Sequence, residues 1–164
     1  MLSESSDELW RVFVADRDPN GFAPTTWYRR VFRDCLLPAA DEGDLNLMDF
    51  VTSNTSNVPG ALAILSQRIL SVVWNRRVFL TEGTGSGKEK MLGLCPPATK
   101  ERDIITVLFG CSVPVVLRMV SFEGERFYRL VGECYVHGMM DGEAIPDWKA
   151  PQYPYSDFEG FVLI

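Results

Sequence analysis

Apolar residues recur with a helical period in the first half of the chain and with a strand period in the second. Leu9, Trp10, Phe13 and Val14 follow the i, i+4 rows of one helix face, and Asp7 and Glu8 behind Ser6 suit a helix N-terminus. This predicts a helix near 6–16. The turn-rich run from Arg17 to Pro24 ends it, and Thr25 or Thr26 caps a second helix over 26–37, with Trp27, Val31 and Phe32 on one side and Arg29, Arg30 and Arg33 elsewhere. Asp41 to Ser56 shows no period and reads as loop with a short helical turn near Leu47 to Val51. Asn57-Val58-Pro59 then opens a third helix, near 58–75, striped by Leu62, Leu65, Ile69, Val72 and Val73.

From Arg77 the period falls to two. Strands are predicted at 78–82, 91–94, 103–111, 115–122 and 126–137, with a bend at Gly132 and a closing strand at 158–164. Gly110 and Pro114 break the apolar centre of the chain, and residues 138–155 read as loop. Helices first and antiparallel strands after describe an α+β fold, with N-terminal helices packed on a small barrel-like sheet. The expectation is one domain over 1–164, helical to residue 76 and β from 77.

Composition fits a globular chain: 164 residues, 46% hydrophobic, 12% aromatic. Sixteen basic against 22 acidic side chains leave a net charge of −6, and without a basic patch no nucleic-acid partner is expected. The longest apolar stretch, Ile104 to Leu117, contains Gly110, Ser112 and Pro114 and is too short to span a membrane. The acidic start lacks the features of a secretory signal, which makes the cytoplasm the expected location. Cys35, Cys95, Cys111 and Cys134 form no CxxC pair, and there is one histidine, so neither a metal nor a cofactor is expected.

Chemistry is sparse. Gly83-Thr-Gly-Ser-Gly-Lys88 resembles a phosphate loop only superficially, because Glu82 stands where the first glycine belongs and Glu89 where a magnesium-binding hydroxyl belongs. A hairpin loop that binds no nucleotide is the expectation. A dyad of His137 with Cys134 is formally possible, but residues three apart on a strand face opposite ways, and Cys111 could approach only through the fold, so a histidine that braces the following turn is the expectation. Asp141 and Glu143 suit a solvated turn better than an acid–base pair. Trp148, Tyr153 and Tyr155 sit in a proline-rich loop, placed to cover a cavity or a partner.

The segments Arg76 to Glu82, Gly93 to Pro97, Asp103 to Arg118 and Tyr128 to Ala144, with the Leu9-Trp-Arg and Trp27-Tyr-Arg-Arg stretches, make residues 5–144 similar to the C-terminal region of fungal heterokaryon incompatibility (HET domain) proteins. The resemblance implies a fungal protein starting after the HET domain, and it transfers no catalytic residues. It leaves two readings. The first is a stand-alone cofactor-independent cyclase of fungal secondary metabolism, accelerating an intramolecular Diels–Alder reaction of an apolar terpenoid-type intermediate. Such a reaction needs only a restricting pocket and a polarising donor. Arg118, His137 and Tyr135 would be its catalytic groups, and Tyr128 and Trp148 would bind substrate at the barrel mouth. The alternative is a non-catalytic interaction module of self/non-self recognition. The sequence does not set an oligomeric state.

Overall fold

The computed structural model describes residues 2–38, 46, 47, 49, 60–82, 90–143 and 159–164. The chain divides into two compact units, Met1–Arg76 and Arg77–Ile164, at the point where the apolar period changes.

In the first unit α1 spans Leu2–Phe13, α2 spans Thr26–Val31 and α3 spans Gly60–Val73. α1 starts at Leu2, so Ser6 lies inside the helix and is not its cap. Thr25 holds the N-cap position of α2 but its side chain makes no cap hydrogen bond. α2 runs on into a π-helical turn at Phe32–Leu36 in place of a uniform helix to 37. The wider turn keeps Tyr28, Phe32 and Leu36 all buried against Trp10, Val14, Leu62, Leu65 and Ile69. Arg68 on α3 crosses to the end of α1 and donates from Nε to the Arg17 carbonyl and from Nη2 to the Val14 carbonyl, each at 3.0 Å. It thereby ties α3 to carbonyls of the turn that follows α1. Burial raises the Tyr28 phenol above its ordinary pKa, the nearby Asp18 adds to this, and Arg68 opposes both.

The second unit contains six strands among the described residues: β1 Arg77–Leu80, β2 Leu92–Cys95, β3 Ile104–Thr106, β4 Val115–Phe122, β5 Glu125–Glu133 and β6 Tyr135–Val136. They form two antiparallel sheets, ordered β1-β2-β6 and β3-β4-β5. No barrel closes among these residues. The sheets are joined where the chain leaves β5 for β6: Val131 is an extra residue between Leu130, opposite Leu117, and Gly132, opposite Val116. This bulge bends the strand, and Cys134 N–H still donates to the Pro114 carbonyl beside β4 at 2.9 Å. A shared apolar cluster of Cys95, Val116, Cys134 and Val136 fills the space behind the bend.

β3 is shorter than the sequence predicts. Gly110, at φ 87°, turns the chain, and the Cys111 N–H bonds to the Leu108 carbonyl. The expected closing strand is reduced to one bridge, and it is parallel: Tyr128 N–H donates to the Val162 carbonyl and Ile164 N–H to the Tyr128 carbonyl, with Leu163 opposite Tyr128. The β4–β5 hairpin closes through Glu123 and Gly124, both at positive φ, the two-residue turn whose twist matches paired strands. No helix in the described residues is long and apolar enough to cross a membrane.

Candidate functional site

Tyr135 and His137 are two residues apart at β6, and strand alternation puts them on one face. The Tyr135 hydroxyl lies 3.1 Å from His137 Nδ1. A neutral imidazole that accepts the phenolic proton at Nδ1 carries its own proton on Nε2, the nitrogen left to meet another group. Tyr135 is buried and His137 half-buried. Cys134 points to the other face, into the cluster with Val136, as expected for residues three apart.

The remaining predicted site residues do not gather around this pair. The Arg118 side chain closes a fork on Asp103, Nε to Oδ1 at 2.9 Å and Nη2 to Oδ2 at 2.7 Å, and Nη2 also reaches the Ala98 carbonyl at 2.7 Å. Its two-pronged donor capacity is therefore spent on an internal carboxylate, because the Asp103 side chain, only 4% exposed, cannot leave its charge unpaired. The Arg118 guanidinium holds Asp103 below the usual carboxylate range, helped by the Lys100 N–H. Tyr128 stands opposite Met119, the neighbour of Arg118, so Tyr128 and Arg118 project from opposite faces of the β3-β4-β5 sheet. Tyr128 is buried with Val115, Leu117, Leu108 and Phe161, meeting the Phe161 ring edge-on at 4.8 Å. Its role there is packing. Trp148 lies outside the described residues, as do the glycine loop 83–88, Tyr153 and Tyr155.

The flanks of the glycine loop are described. Thr81 and Met91 continue the β1–β2 ladder, and a strand follows the loop where a phosphate site would place a helix. Glu143 accepts the Asp141 N–H at 2.6 Å, so this carboxylate braces its own turn.

Sequence reasoning missed an apolar surface. Ile104, Leu117 and Leu130 stand in one row across β3, β4 and β5, and Met119 lies two residues along the same face. Leu117 is buried, but Met119 and Leu130 are 53% and 54% exposed and Ile104 is also open. Adjacent exposed apolar side chains on three strands mark a contact surface more often than scattered ones do. Alternation in β4 and β5 carries this signal, but only the register shows that the positions adjoin.

Residues 57–150, more than half of the chain and most of both sheets, match the Het-6 beta-barrel domain. The match begins at residue 57, so the Leu9 and Trp27 segments of the wider resemblance lie outside it. The chain is also 37% identical over 68 residues to "Heterokaryon incompatibility protein 6, OR allele" of Neurospora crassa, an alignment covering 42% of this chain and 9% of that protein. No solved structure matches. Neither similarity points to a cycloaddition. The extent of the first match, across strands β1 to β6, places this chain in the Het-6 beta-barrel domain family.

Proposed function

We propose that this chain is a non-catalytic recognition module of a heterokaryon incompatibility system, docking a protein partner in self/non-self discrimination. The similarity to heterokaryon incompatibility protein 6 carries this reading. Two features of the site support it. Arg118, the cation best suited to polarise a substrate, is neutralised by Asp103, and the β3-β4-β5 sheet offers Ile104, Met119 and Leu130 as an open apolar patch with Arg126 at its rim. A patch of this kind with a polar border is the usual anatomy of a protein contact.

The test expresses the full chain in a fungal recipient carrying an incompatible heterokaryon incompatibility allele and scores growth arrest. The Met119→Asp/Leu130→Asp double variant, checked for an unchanged melting temperature, should lose the response. Each apolar side chain buried in a contact contributes about 1.5–3 kcal/mol, so losing both weakens docking on the order of a hundredfold or more. A wild-type chain without effect, or a stable double variant with full effect, overturns the reading.

A further inference from the structure

β2 and β6 pair with Gly93 opposite Val136 and Leu94 opposite Tyr135. One further step along the same register sets Cys95 opposite Cys134. The His137 N–H donates to the Leu92 carbonyl at 2.9 Å, which marks 92/137 as a hydrogen-bonded pair. Bonded and non-bonded pairs alternate along an antiparallel ladder, so 94/135 is bonded while 93/136 and 95/134 are not. The Cys134 backbone agrees, because its N–H points away from β2 to the Pro114 carbonyl. Non-bonded pairs bring their Cα atoms to about 4.5 Å, inside the roughly 4.4–6.8 Å that a disulfide spans. Both side chains also pack in one buried cluster, 3% and 2% exposed.

We infer that Cys95 and Cys134 form a dithiol site that closes reversibly into a cross-strand disulfide, with hydrogen peroxide as the oxidant. One thiol sulfur attacks peroxide, giving a sulfenic acid and releasing one water. The second sulfur then displaces the sulfenic oxygen, which leaves with its proton and that of the second thiol as another water. In sum, two thiols and one peroxide give one disulfide and two waters, and an external dithiol reverses the change. The bond staples β2 to the segment that crosses between the sheets. It also removes the S–H that Cys95 directs at the Arg77 carbonyl 3.5 Å away, so closing one strand contact loosens another. Burial makes the first attack wait for local opening of the crossover, so the pair oxidises more slowly than the exposed Cys111.

The test treats the full chain carrying Cys35→Ser and Cys111→Ser with hydrogen peroxide, alkylates the remaining thiols, digests the product and reads it by mass spectrometry. The expected result is a linked pair of peptides containing Cys95 and Cys134, two hydrogens lighter than the reduced pair, abolished by adding Cys95→Ser and reversed by dithiothreitol. The same digest of the wild-type chain should find the same linkage, which keeps the test decisive if the serine variant folds poorly. Cys95 and Cys134 recovered as free thiols or as separate sulfinic acids, with no linked peptide in either chain, overturn the inference.

Discussion

Gly93 stands between Phe79 on β1 and Val136 on β6. A Cβ placed there would meet the Tyr135 carbonyl oxygen and lie 2.5 Å from the Phe79 ring, so backbone and aromatic would both have to move. Gly93→Ala should therefore destabilise the chain by about 3 kcal/mol, read as a lower urea midpoint with no change in slope. Ser66 on α3 is the opposite case. Its side chain is fully buried, and its hydroxyl has no hydrogen-bond partner among the described residues. Ser66→Ala removes an unsatisfied polar group and improves helix propensity, so thermal denaturation should show a gain of about 1 kcal/mol. That residue 66 falls inside a helix was legible in the α3 stripe. Its lack of a partner was not, because that depends on what α1 and α2 bring to the same place.

At the scale of elements, the Asp103–Arg118 fork ties the segment before β3 to the middle of β4. Asp103 has a lowered pKa in the folded chain, chiefly through its hydrogen bonds from Arg118. Its contribution to stability is fully present above the unfolded carboxylate value of about 3.9 and is lost as pH falls through the lowered folded value. Asp103→Asn should lower the melting temperature at pH 7, and the gap to the wild type should shrink as pH falls below about 4. A gap independent of pH would show that the carboxylate charge does not stabilise this junction. α3 and β4 were predicted closely from their stripes, since a long amphipathic run and a β-branched run each specify one period. The π-helical turn after α2 and the end of β3 at Thr106, four residues short of the Gly110 break, were not, because burial of Phe32 and Leu36 and the pairing partners of β3 depend on packing that periodicity does not encode.

For the whole molecule, the sequence determined the order of its parts: helices to residue 76, strands from 77, a bend at Gly132 and a family resemblance centred on the strands. These features depend on neighbours within a few residues, and local spacing records them. Tyr135 and His137 share one face for the same reason, as residues two apart on one strand. Tertiary structure alone decided how six strands divide into two sheets, that Asp103 claims Arg118, and that Phe161 packs against Tyr128 on the same face that leaves Ile104, Met119 and Leu130 open. It also brought Cys95 and Cys134 into one buried cluster. Most of these join residues ten or more positions apart, and strand register, which a shift of one residue would reverse, settles them only when the sheets assemble.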